Sequence, residues 1–209
     1  MQLIGMLDSP FVRRTAIAAR LLGIAFEHRN LSVFADFDLM RTINPAVKVP
    51  TLVCDDGTVL MESGLILDYF ESLAGRSLWP AEVPARRHAL RVTGLALVAC
   101  EKVMQMVVEK RIRAPQSLDE AWYNRVKQQL AGALAALDKA LAEEPLALDE
   151  AHLGHAAIIT AVMWRYAQVK VAGEVLPAYP TLADFVARAE RLPVFATVPF
   201  DEAAVLDPA

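Results

Sequence analysis

The chain has 209 residues, 55% hydrophobic and 22% charged, which supplies enough apolar mass for a sizeable core and excludes a disordered or collagen-like chain. Its 21 basic and 25 acidic side chains leave a formal charge of −4, an acidity that argues against a nucleic-acid surface as the main role. Two distant cysteines, Cys54 and Cys100, form neither a disulfide framework nor a CxxC dithiol, which fits a reducing compartment. The amino terminus places its arginines after a short apolar stretch, the reverse of an export signal, and no apolar run reaches the roughly 18 residues of a membrane-spanning helix. The expectation is a soluble, cytoplasmic protein without membrane or nucleic-acid partners.

Residues 1 to about 77 alternate strand-like and helix-like patterns at short spacing, the mark of an α/β unit. Leu3 to Met6 reads as a buried strand. Ser9 and Pro10 offer an N-cap and a first-turn proline, and Ile17, Ala18, Leu21 and Leu22 carry a helix to Gly23, with Arg13, Arg14 and Arg20 on its solvent face. Ile24 to Leu31 is a second strand, Phe37 to Ile43 a short helix, and Thr51 to Cys54 a third strand that turns at Asp56-Gly57 into Thr58 to Met61. Ser63 caps a helix with the apolar stripe Ile66, Phe70 and Leu73, stopped near Gly75. The order is βαβ, then α, then ββα.

Beyond a proline-bearing linker, strand patterns vanish. Pro84 to about Arg113 is one long helical segment. Ser117 to Glu120 reads as a capping box opening a second helix, with Leu130, Leu134, Leu137 and Leu141 on one face and Pro145 beyond its end. Leu153 to Tyr166 is apolar nearly all round, as a central bundle helix is, and Thr181 to Asp184 opens a last helix closed by Pro193. The expected division is 1–77 as a thioredoxin-like βαβαββα domain, 78–87 as linker and 88–209 as an all-helical bundle domain.

Three features carry chemistry. Ser9 begins a helix, where backbone N–H groups and the dipole favour negative charge, so it is either a plain cap or a donor to an anion such as a thiolate. Lys48-Val49-Pro50 precedes a strand; a cis Val-Pro bend leaves backbone N–H and C=O groups for another chain to pair with. Glu62 can pair with an ammonium, and Ser63 at a helix start can hold a carboxylate, which together suit an amino-acid head group. Taken singly, Glu62 is equally a solvated acid and Ser63 a plain cap. His152 and His155 lie on one helical face but lack a third ligand, so no metal site is expected; they read as a replacement cap and an interior histidine.

Taken together, Ser9-Pro10-Phe11-Val12-Arg13, the stretch Asn44-Pro45-Ala46-Val47-Lys48-Val49-Pro50-Thr51-Leu52, then Asp56-Gly57 and Glu62-Ser63 ahead of a helical half, resemble a bacterial cytosolic glutathione S-transferase of the serine type over essentially the whole chain. The resemblance implies glutathione as co-substrate, no metal, and a homodimer. It implies that Ser9 activates the thiol, that Val49 with cis Pro50 pairs with the cysteinyl backbone, that Glu62 and Ser63 hold the γ-glutamyl group, and that Phe11 and Lys48 complete the glutathione site. An apolar electrophilic small molecule would then lie against Met104, Val107 and Val108, which read equally well as helix-packing core. The family's usual Ser/Thr-x-x-Asp capping box is replaced here by His152-Leu153-Gly154-His155. With serine rather than cysteine at position 9, reduction of glutathionyl mixed disulfides is not expected, and DSPFVRR lacks the longer serine and cysteine motif of maleylacetoacetate isomerases. The rivals are a non-catalytic binding or interaction protein of the same fold and a glutathione-dependent isomerase or peroxidase.

Overall fold

The computed structural model describes residues 1–175 and 179–206. Four short strands form one sheet: β1 (Gln2–Ile4), β2 (Glu27–Arg29), β3 (Thr51–Val53) and β4 (Val59–Met61), in the order β2-β1-β3-β4. β1 runs parallel to β2, with Leu3 opposite His28, and antiparallel to β3, with Leu3 opposite Leu52; β3 and β4 form the expected hairpin. At its turn Gly57 takes φ 85°, and the Asp56 carboxylate accepts from the Thr58 N–H at 2.8 Å, a bond that holds this carboxyl below its usual range. Helices α1 (Pro10–Leu22), α2 (Phe37–Ile43) and α3 (Ser63–Ala74) complete the unit, and the mixed sheet with its helices is thioredoxin-like.

The chain divides into two compact units. The first comprises Met1–Leu78, Asp149–His152 and the stretch from Arg191 onward. Its core is Leu3, Ile4, Leu52, Ile17, Ile66 and Phe70. Helix α9 (Pro193–Ala196) and the tail belong to this unit: the Val194 N–H donates to Glu150 Oε1 at 2.7 Å, and Asn30 Nδ2 donates to the Glu202 carbonyl at 2.9 Å. The second unit, Trp79–Leu148 with Leu153–Glu190, is helical. It holds α4 (Val83–Val107), a π-helical turn (Val108–Ile112), a 3-10 turn (Pro115–Ser117), α5 (Glu120–Glu143), α6 (His155–Lys170), α7 (Ala172–Val175) and α8 (Pro180–Ala189). Helix α6 is buried on nearly every side, as its unbroken apolar run requires. Among the described residues no helix is long and apolar enough to cross a membrane.

Several local expectations are corrected. The strands are three residues long, so the reach of the first to Met6, of the second from Ile24 to Leu31, and of the third to Cys54 overstates them. Arg13 and Arg14 are not on a wet face: Arg13 is 1% exposed, its Nε donates to the Val198 carbonyl at 2.8 Å, and its guanidinium lies over the Phe195 ring. Arg14 is buried as well, and Arg20 is half-buried over Phe26. Glu62, not Ser63, occupies the N-cap of α3. Asp119 caps α5, accepting from the Trp122 N–H at 2.9 Å, while Ser117 sits in the 3-10 turn. Gly154 stands at the N-cap of α6; His152 turns instead to Asp149, 2.7 Å from its Nδ1. His155 is buried against the Trp79 ring, the interior histidine expected. Tyr179 precedes α8, so Thr181 is already helical, and Pro193 opens α9 rather than closing a helix.

Candidate functional site

Gly5 organises the first unit's loops. It takes φ 139°, and a Cβ there would meet Val12 Cγ2 at 2.5 Å and Val49 Cβ at 3.0 Å. The first turn of α1 and the loop before β3 therefore close on one backbone position that only glycine can fill. Its N–H donates to the Arg29 carbonyl at 3.0 Å, and its carbonyl accepts from His28 Nε2 at 2.8 Å. His28 is 4% exposed and accepts at Nδ1 from the Leu206 N–H at 3.1 Å, so it is the neutral Nε2–H form. Burial pulls its pKa below the usual value, against the opposing pull of the Gly5 bond.

Ser9 is the N-cap of α1, half-buried, with Pro10 at the first helical position. Its Oγ accepts from the Val12 N–H at 3.4 Å, long for a cap, and among the described residues nothing accepts its own proton. Phe11, also half-buried, follows on the first turn; its carbonyl accepts from the Thr15 hydroxyl at 2.8 Å, and among the described residues nothing accepts from its N–H.

The Val49–Pro50 peptide is cis, as expected. A network not foreseen from the sequence shapes the loop that bears it. Buried Asn44 donates from Nδ2 to Thr51 Oγ1 at 2.8 Å and accepts at Oδ1 from the Ala46 N–H at 3.0 Å, while Thr51 Oγ1 donates to the Lys48 carbonyl at 2.5 Å. Val47 takes φ 47°, costly for a β-branched residue. Just beyond it, among the described residues nothing pairs with the Val49 N–H or C=O.

Glu62 is a second outlier, at φ 69° and ψ 113°, with no side-chain cap bond. Its carbonyl accepts from the N–H groups of Leu65 and Ile66, both at 3.0 Å, and among the described residues the N–H groups of Ser63 and Gly64 find no acceptor. Ser63 is buried. Lys48 Nζ lies 3.7 Å from Glu62 Oε1, an exposed pair that binds the two loops weakly. Strain of about 1–3 kcal/mol per residue held at two adjacent loops is characteristic of binding sites.

The structure thus brings together the loops bearing Ser9, Val49, Pro50, Lys48, Glu62 and Ser63, and adds Gly5, Asn44, Thr51 and His28. Met104, Val107 and Val108 belong to the helical unit, the first two on α4 and the third opening the π-helical turn; all three are half-buried. Among the described residues no group of three or more His, Cys, Asp or Glu side chains could hold a metal ion.

Residues 3–78 match the family of glutathione S-transferase N-terminal domains. The GST-like protein YibF of Escherichia coli (strain K12), itself uncharacterized, is 29% identical over 164 residues, 78% of this chain and 80% of its own. A glutathione transferase family member from Pseudomonas fluorescens Pf-5, solved with bound glutathione, superposes with a TM-score of 0.80 at 28% identity, covering 94% of this chain and 97% of that one. A glutathione S-transferase from Methylobacterium radiotolerans in complex with glutathione sulfonate superposes at 0.84 with 25% identity, covering 96% and 95%. A thioredoxin-like unit with a helical one after it is the architecture of these transferases. The first unit of the chain thus carries the N-terminal domain of the glutathione S-transferases, and over most of its length the chain is similar to GST-like and glutathione transferase proteins.

Proposed function

We propose that this protein is a serine-type glutathione transferase that activates the thiol of bound glutathione for attack on an electrophilic small molecule. The observation that carries the proposal is the set of backbone groups without partners among the described residues, at Val49 and at the start of α3, on loops that the Lys48–Glu62 pair links and that Gly5 brings up to the first turn of α1, which Ser9 caps. A tripeptide strand satisfies the Val49 N–H and C=O as a sheet edge would. Its γ-glutamyl carboxylate suits the Ser63 hydroxyl and the N–H groups opening α3, its ammonium suits Glu62, and its glycyl carboxylate suits Lys48. Phe11 lends the first turn of α1 to the same site.

A thiol titrating near ~8.5 is mostly protonated at neutral pH, and lowering it by about two units takes about 2.7 kcal/mol of preferential thiolate stabilisation. One hydroxyl donated to the thiolate contributes about 1.5 to 3 kcal/mol, which matches that need, with the α1 dipole adding to it. Ser9 is then the donor that holds the thiolate, and the sulfur is the nucleophile. Glutathione and glutathione sulfonate in the neighbouring structures support the ligand class. A homodimer, as the resemblance implies, would cover exposed apolar side chains such as Leu65 on α3. We place the protein in the cytoplasm, where glutathione is kept reduced.

Isothermal titration of reduced glutathione into wild type and Glu62→Ala tests the site, with weaker binding in the variant expected. No binding to wild type at millimolar glutathione would move the function to a non-catalytic interaction protein of the same fold. Light scattering tests the dimer, and a monomer at micromolar concentration would remove it.

A further inference from the structure

We propose that Thr51, set by Asn44, is a positioning residue that aims the Val49 N–H at the peptide backbone of glutathione; this rests on the transferase reading above. Thr51 opens β3 and is fully buried, with Ile4 of β1 opposite it on one side and Met61 of β4 on the other. Its hydroxyl has a single proton, which it donates to the Lys48 carbonyl at 2.5 Å. Asn44 Nδ2 donates to the same hydroxyl oxygen at 2.8 Å, so that proton is not drawn toward Asn44. The Asn44 amide is itself fixed in orientation: its Oδ1 accepts from the Ala46 N–H at 3.0 Å, and its Nδ2 also lies 3.8 Å from Met61 Sδ. The buried chain of donors therefore runs one way, from Asn44 to Thr51 to Lys48.

The consequence falls on the next backbone atom. The Lys48–Val49 peptide is trans, so the Lys48 carbonyl and the Val49 N–H point in opposite directions within one plane. With the carbonyl turned in to the buried Thr51, the N–H is turned away from it. Val49 is half-buried, and among the described residues its N–H has no acceptor. An oriented, unpaired donor of this kind is ready for the carbonyl of an incoming peptide, because its orientation is set on folding and not on binding. Without the Thr51 hydroxyl the Lys48–Val49 peptide plane loses its anchor, and part of the binding energy goes into holding it.

Isothermal titration of reduced glutathione into the full-length wild type, Thr51→Val and Thr51→Ser tests the assignment. Valine keeps the shape of threonine but has no proton for Lys48, and serine keeps the proton. Thr51→Val should raise Kd about tenfold, the size of one hydrogen-bonded contact, while Thr51→Ser stays near wild type. S-methylglutathione should lose the same factor, because the contact is to the peptide and not to the thiol; a loss confined to reduced glutathione overturns the assignment. An unchanged Kd in Thr51→Val, or a Thr51→Ser as weak as Thr51→Val, also overturns it and leaves the transferase reading in place. The amide resonance of Val49 in nitrogen-15-labelled protein gives a readout that a merely structural role would not move. Glutathione should shift the Val49 amide proton downfield in wild type and shift it less in Thr51→Val; equal shifts overturn the assignment. Thr51→Ala carries the same expectation if Thr51→Val does not fold, and a Val49 amide in wild type that ignores saturating glutathione overturns the assignment without any variant. Wild type that binds neither ligand at millimolar concentration defeats the transferase reading and this assignment together.

Discussion

The two units hold their shape in different ways. In the helical unit α4, α5 and α6 bury stripes such as Leu130, Leu134 and Leu137, and the Lys110, Tyr123 and Glu174 cluster is closed on itself. There, burial pushes the Tyr123 hydroxyl up to about 12, helped by its bond to Glu174. Burial also raises Glu174, yet Lys110 and Tyr123 outweigh it and hold the carboxyl low. The thioredoxin-like unit instead keeps strained backbone at Val47 and Glu62 and, among the described residues, unpaired N–H groups at Val49, Ser63 and Gly64. Polar groups satisfied within the protein make a scaffold, and polar groups left for a ligand make a site.

Glycine substitutions break this comparison most sharply. Gly5→Val forces a side chain between Val12 and Val49 at a φ that β-branched residues avoid, so it should cost more than about 4 kcal/mol, read as loss of the cooperative thermal transition. An unaltered transition would show that the two loops do not converge on Gly5. Ser9→Ala should leave the fold within about 1 kcal/mol, because its cap bond is long, while turnover falls roughly 10²-fold. Unchanged turnover removes Ser9 from the chemistry.

His28 sharpens the contrast through pH. Its folded pKa lies below the unfolded value, so the folded protein resists the proton that the unfolded chain accepts. Stability present above the unfolded pKa near ~6.5 is then lost as pH falls toward the folded value, by at most about 1.4 kcal/mol per pH unit. His28→Gln keeps a donor and an acceptor without titrating, and denaturant midpoints from pH 7 to 5 should fall less steeply in it; parallel slopes would count against the buried, neutral imidazole. The smallest effect belongs to the helical unit. Gly132 lies within α5 with open space where a Cβ would sit, so Gly132→Ala should stabilise by about 0.5 to 1 kcal/mol, seen as a small rise in Tm. A fall in Tm there would mean that this helix is not the unstrained scaffold described.

What the sequence made legible was local. Period-two and period-3.6 patterns, a Ser-Pro helix start and an Asp-Gly turn depend on near neighbours, and they led to the element order and to the loops bearing Ser9, Val49 and Glu62. Arg13 and Arg14 were misplaced because an arginine in a helical pattern reads as solvated until Val198 and Phe195, some 185 residues on in the chain, are seen to cover Arg13. Ser63 and Ser117 misled as caps because a hydroxyl near a helix start can stand one residue inside the helix, as Ser63 does, or two residues before the cap, as Ser117 does, and backbone conformation chooses between these places.

Sequence alone therefore determined the class of fold and which loops offer candidate site residues, because both follow from patterns repeated within a few residues. Only the tertiary structure decided that Gly5 must lack a side chain, that Asn44 and Thr51 shape the loop before β3, and that His28 is neutral between Gly5 and Leu206. Those facts depend on which atoms meet across long stretches of chain, and no local pattern records them.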